Sequence, residues 1–137
     1  MALAILLTLQ RDVPDAPPTP KAATGKAMAR ELEKLDFLAR SNKVPQPSTL
    51  LSEPQAALIA QLTADGFDVS KMRLPPERWF PASEGLQLLA ALIAHLEAKP
   101  NDAKQPSAVL RDLRAAEATL KAADAAGVAF HFTKADV

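Results

Sequence analysis

Only two stretches of this chain read as β-strand, and they lie at its opposite ends. Leu3 to Leu9 is a short apolar run closed by Gln10-Arg11-Asp12, the pattern of a buried strand. Near the other end, Val128, Phe130 and Phe132 alternate with Ala129, His131 and Thr133, the pattern of a half-buried one. A strand buried alone leaves its N–H and C=O groups unpaired, at about 1–3 kcal/mol for each orphaned group. Each segment is the other's cheapest partner. Pairing Leu3–Leu9 with Val128–Thr133, in antiparallel sense, draws the termini together and makes the intervening chain one excursion from a small sheet. A free edge of that sheet is the route by which a homodimer would form in place of a monomer.

The excursion reads as four amphipathic helices separated by prolines. Pro14, Pro17, Pro18 and Pro20 make residues 11–23 an extended connecting loop. The first helix is expected from Thr24 or Gly25 to Ser41, with Met28, Leu32, Leu35, Leu38 and Ala39 on one stripe. A second is expected from Ser52, where Ser52 and Gln55 match a capping box and Leu58, Ile59 and Leu62 supply the buried face. Asp65-Gly66 ends it. Residues 67–80 have no clear period and are read as an ordered loop anchored by Trp79 and Phe80. A third helix runs from Ala82 to Lys99, with Leu86, Leu89, Ile93 and Leu96 inward and Leu88 and Leu92 widening the stripe. A fourth runs from Ser107, its expected cap, to Ala126, with Leu110, Leu113, Ala116, Leu120 and Ala123 inward and Gly127 at its end. The fold class is therefore α+β, mainly helical, in a single domain spanning 1–137.

Composition narrows the function classes. With 137 residues the chain buries roughly two thirds of its unfolded surface, so it needs neither disulfide nor structural metal. Sixteen basic residues balance sixteen acidic ones, which gives none of the positive excess expected of a nucleic-acid binder. The absence of cysteine removes thiolate ligands and a thiol nucleophile and suits a cytoplasmic protein. No apolar run reaches membrane-spanning length.

The candidate chemistry is thin. Thr24-Gly25-Lys26 echoes a phosphate loop, but Pro20 stands where the first glycine is required and Ala27 where a hydroxyl must meet magnesium. Lys26, Arg30 and Lys34 lie four apart on one helix face, as a solvated charged face or a modest anion site near a helix N-terminus. His95 flanks the stripe of the third helix; Glu84 shares its face but stands eleven residues away, about 16 Å. His131 falls on the strand face opposite Phe130 and Phe132 and is expected to be partly buried. Both histidines lack the spacing of a metal motif, and no nucleophile elbow surrounds any serine. Trp79 either plugs the core or lines a groove. No cofactor or metal is expected. The residues left as candidate ligand or partner contacts are Lys26, Arg30, Trp79 and His95.

One resemblance emerges from the order of segments. Gly25-Lys26-Ala27-Met28-Ala29-Arg30 follows the first strand, and Leu74-Pro75-Pro76-Glu77-Arg78-Trp79-Phe80 precedes Glu84-Gly85-Leu86. This resembles a family of small uncharacterised bacterial proteins with a "GKALAR" helix start and a "PPERWFDPAEGL" segment. Where that pattern has Asp-Pro-Ala, this chain has Pro81-Ala82-Ser83, which moves the expected helix cap to Ser83. The resemblance implies a bacterial cytosolic protein and supplies no activity, so it assigns no residue a role. Three functions stay open on the residues alone. The first is a small protein-interaction module, such as an adaptor or an immunity-like inhibitor. The second is a small-molecule or anion binder around Lys26, Arg30 and Trp79, and the third is an enzyme built on His95 or His131.

Overall fold

The computed structural model describes residues 3–18, 20–52, 55–73 and 77–136. Strand β1 (Leu3–Leu9) pairs antiparallel with β2 (Phe130–Asp136), with Leu9 opposite Phe130 and Leu3 opposite Asp136. The terminal pairing inferred from two isolated strand patterns is therefore the observed sheet. Between the strands come α1 (Lys26–Arg30), α2 (Leu32–Ser41), α3 (Gln55–Ala64), α4 (Ala82–Ala98) and α5 (Pro106–Ala125). The architecture is α+β and mainly helical.

The second strand begins later than its alternation indicated, at Phe130 rather than Val128. Val128 instead closes α5. Its N–H donates to Ala123 O at 2.8 Å and the Gly127 N–H to Asp124 O at 3.1 Å. Gly127 adopts φ +69°, so the helix ends in the paired-bond cap that a left-handed residue makes possible. Both faces of β2 are covered. Phe130 and Phe132 fill the core, while His131, expected to be partly buried, is fully buried beneath Trp79. The segment 77–80 lies over that face. Phe80 exchanges two backbone hydrogen bonds with Phe130, at 2.8 and 2.9 Å, and Ser52 N–H donates to Phe132 O at 2.9 Å.

Helices α4 and α5 pack on each other and on the sheet through Leu88, Leu89, Leu92, Leu96, Val109, Leu113, Leu120 and Ala123, all buried. Leu86, assigned inward from its spacing, is only half-buried. Gly85 sets the closeness of approach. A Cβ there would stand 2.5 Å from the Phe130 ring and 2.6 Å from Leu120.

The expected first helix is broken. Residue 31 leaves helical geometry at φ −112°, ψ 23°, and α1 and α2 follow each other around that point. The reason is tertiary: Glu31 is buried and its carboxylate accepts the N–H groups of Lys104 and Gln105, at 2.5 and 3.2 Å. These donors stand at the entrance to α5. They make Ser107 unnecessary as a cap, and the helix begins at Pro106 instead, whose missing N–H suits a first position. Ser83 likewise lies inside the first turn of α4, which starts after Pro81 without a side-chain cap.

The second helix departs most from expectation. Leu58, Ile59 and Leu62 do not join the core; Ile59 is exposed and the other two are half-buried. Helix α3 packs mainly on the short turn Val69–Lys71 that follows it. Ser52 presents its hydroxyl to the Arg78 N–H at 2.8 Å. Gln55, the other element of the expected capping box, opens α3; Pro54 lies outside the described residues, as do Leu74, Pro75 and Pro76.

Helix α2 ends in a left-handed residue that is not glycine. Lys43 adopts φ +57°, with Val44 N–H donating to Ala39 O and Lys43 N–H to Arg40 O, both at 3.1 Å. Side chains resist this conformation because Cβ crowds the carbonyl oxygen. Lys43→Gly is expected to stabilise the protein by about 0.5–1 kcal/mol, part of the relief being offset by a more flexible unfolded chain. Urea unfolding would show a higher midpoint at unchanged slope.

Candidate functional site

Each histidine has a carboxylate within 3 Å, from a residue that sequence spacing did not identify. His95 Nε2 lies 2.7 Å from Asp102 Oδ2, across the Pro100–Asp102 turn. Its Nδ1 lies 3.3 Å from Asn42 Nδ2, which also donates to Leu38 O at 2.8 Å. The geometry suits a ring that donates through Nε2 and accepts at Nδ1. His131 Nε2 lies 2.8 Å from Glu77 Oε2 and its Nδ1 3.2 Å from Thr133 Oγ1. Trp79 packs against this ring at a tilt of 40°, with centroids 4.4 Å apart. Both nitrogens of both rings are thus engaged within the protein. A general base needs one nitrogen free for a substrate proton, and neither ring offers it.

Asp102 is held below its ordinary value of 3.8, first by the hydrogen bond from His95, which outweighs the opposing effect of burial, and then by the charges of His95, Lys34 and Lys99. A carboxyl lowered in the folded state stabilises the fold above the ordinary carboxylate range and loses that contribution as pH falls through the lowered value. Wild type is therefore expected to melt above Asp102→Asn near neutrality. The gap should close on acidification below 3.8, as thermal melts across that range would show.

The four candidate contact residues do not converge. Arg30 and Lys34 line a groove of about 640 Å³ together with Lys104, Lys134 and Asn101. Lys26 is absent from its wall, Trp79 covers His131, and His95 reaches it only through Asp102, which lines it. Glu31 and Asp102 on the same wall are committed to Lys104, Gln105 and His95. Their charge remains, so Glu31, Glu33 and Asp102 together oppose the four cations contributed by α1, α2, the turn before α5, and β2. Of the periodic Lys26, Arg30, Lys34 row, Arg30 and Lys34 line this groove, where Lys104 and Lys134 join them from sequence-distant segments.

Two buried carboxylates escaped sequence reasoning. Glu31 stands three residues after Met28 and four before Leu35, and Asp112 three after Val109 and four before Ala116. Both therefore sit on apolar stripes, the signal that marks them. They act reciprocally. Glu31, from the end of α1, binds backbone donors entering α5, while Asp112, from α5, accepts the Met28 N–H in the first turn of α1 at 3.4 Å. Asp112 also lines a groove of about 250 Å³ between β1, residues 23–25 and the middle of α5.

Gly25, which invited the comparison with a phosphate loop, serves the backbone. It adopts φ +82° and its carbonyl accepts the Ile5 N–H at 3.0 Å. Among the described residues, no group of three or more histidines and carboxylates is placed to hold a metal, and no helix is long and apolar enough to cross a membrane.

The most exposed apolar side chains outside the sheet include three on one unit: Ile59 on α3, Phe67 just after it, and Met72 after the turn, at 37, 55 and 41% exposure. Asp68 fixes that turn by accepting the Ser70 N–H and hydroxyl, at 3.1 and 2.6 Å. The same two bonds, the hydroxyl first, lower the Asp68 carboxyl below 3.8. The chain matches no known protein family, no curated protein and no solved structure.

Proposed function

We propose that this chain is a small protein-interaction module, of an adaptor or immunity-like kind, that works by docking a partner rather than by chemistry. The observation that carries the reading is the α3 unit. Its expected buried face is spent on no shared interior, and Ile59, Phe67 and Met72 remain partly exposed. At 37–55% exposure each forgoes roughly half of the about 1.5–3 kcal/mol that full burial gives, and apolar surface left open in this way is a feature of interaction sites. The full engagement of both imidazoles supports the same reading by leaving no free base. A bacterial, cytoplasmic setting is part of this proposal and draws on the sequence resemblance of the Gly25–Arg30 and Leu74–Phe80 segments.

The test is capture of a partner from native lysate by the wild type and by Ile59→Ser/Phe67→Ser/Met72→Ser, with bound proteins identified by mass spectrometry. A specific protein retained by the wild type and lost by the triple variant, at matched melting temperature, is the expected result. Equal capture by both, or none by either, would overturn it.

A second reading is favoured by the convergence of Arg30, Lys34, Lys104 and Lys134 on one groove. It is the binding of an anion, which the four cations would attract against the opposing charge of Glu31, Glu33 and Asp102 on the same wall. Inorganic pyrophosphate should then bind wild type and lose affinity in Lys34→Gln/Lys104→Gln, in a salt-sensitive way.

A further inference from the structure

We propose that the groove containing Asp112 is a binding site for a small primary ammonium ion on a short apolar body. The proposal starts from an imbalance. Asp112 is 4% exposed, yet no lysine, arginine or histidine pairs with it among the described residues. Its Oδ2 accepts one long hydrogen bond, from Met28 N–H at 3.4 Å. Its Oδ1 receives no protein donor there. Every sealed side-chain nitrogen or oxygen among the described residues has a partner, so Oδ1 is not sealed, and the cavity Asp112 lines is the groove. A carboxyl group so placed wants a cation or a strong donor, and one of its oxygens is left to meet it.

The rest of the groove suits an ammonium. Three N–H donors must be satisfied. Beyond Oδ1, the wall offers the hydroxyls of Thr24 and Thr119. It also offers the outer edge of β1. Ile5 N–H turns outward to Gly25 O, while Gln10 N–H turns inward to Ala129 O. In an antiparallel pair this alternation places the backbone groups of the odd-numbered residues on the outer edge. Leu7 lines the groove on that edge, and its carbonyl accepts no backbone donor outside the ladder. The remaining walls are small or apolar, with Ala115, Ala116 and Phe132 among them. At about 250 Å³ the space equals that of about eight water molecules at roughly 30 Å³ each. That volume admits a short alkylamine.

The ammonium could be free or carried on a lysine side chain, so the test uses n-butylammonium chloride and Nα-acetyl-lysine N-methylamide, with n-butanol and n-butyrate as controls. Binding is followed through the backbone amide signals of Ile5, Leu7, Met28 and Thr119 in two-dimensional NMR. Saturable shifts with either ammonium and not with the controls are expected, and the tighter of the two names the source. Asp112→Asn keeps an acceptor for Met28 while removing the charge, and should weaken binding by about tenfold or more. Ala116→Leu fills the groove and leaves the carboxylate, and should abolish binding. Absence of saturable shifts in wild type, equal binding of butanol, or unchanged affinity in a folded Asp112→Asn would each overturn the proposal. The wild-type comparison decides the matter even if either variant fails to fold.

Discussion

Gly25→Ala is expected to unfold the protein or leave it barely stable, with a loss of about 3–5 kcal/mol. Two costs combine. The residue sits at φ +82°, where a Cβ costs about 1–2 kcal/mol. A Cβ built there would lie 2.1 Å from the carbonyl oxygen of Ile5 and 3.0 Å from its carbonyl carbon. Those are backbone atoms of β1, which cannot rotate aside as a side-chain tip can. Relief requires moving the strand away from α1, which also gives up the Ile5 N–H to Gly25 O bond. Gly66→Ala is the internal control. Gly66 has nearly the same backbone angle, φ +88°, but nothing within 4 Å of the added atom, so it should cost only the conformational part. Equal losses at the two positions, measured by urea unfolding, would show that the strand contact carries no energy.

Phe130→Ala is the second large effect, about 3–5 kcal/mol. Phe130 is fully buried and stands where four elements meet. Its backbone pairs with Leu9 on one side and Phe80 on the other. Its ring lies edge-on to Phe132 at 5.4 Å and near Phe80 at 6.4 Å, and its tip rests over Gly85 of α4. Gly85 has no side chain to offer the vacated space, and the neighbouring Phe132 and Leu120 are themselves fully packed, so much of the cavity would persist and its cost with it. Phe37→Ala removes the same ring from an exposed position and should change stability by no more than about 0.5 kcal/mol. Paired denaturation curves for the two variants check the contrast.

Where the sequence reading succeeded, the information was local and periodic. The alternation about Phe130 and Phe132, the run Leu3–Leu9 and the rule that a buried strand needs a partner were enough to pair the termini. Leu89, Ile93 and Leu96 on α4, and Leu113, Leu120 and Ala123 on α5, could be assigned inward because helical spacing places them on one side. Gly66 and Gly127 could be placed at helix ends because side chains avoid that backbone conformation.

The failures share a different cause. Helix α3 carries apolar residues at suitable spacing, but periodicity says which residues share a face and nothing about whether a neighbour covers it. The break at Glu31 depends on two amides more than seventy residues away. His95 was matched against Glu84 along its own helix, although its partner is Asp102 beyond a turn. His131 was expected to be only partly buried because the segment that covers it, with Glu77 and Trp79, has no period of its own.

The sequence by itself determined the strand pairing, the mainly helical class and most of the leucine core, since these follow from side-chain spacing and the cost of unpaired backbone. Tertiary structure alone decided which polar groups meet. It brought Glu31 to α5, Asp112 to α1, and Arg30 and Lys34 to Lys104 and Lys134. The physical reason is range. Apolar burial is non-directional and any suitable neighbour satisfies it. A hydrogen bond or ion pair needs its partner within a few ångströms at the right angle, and only the folded chain sets that distance.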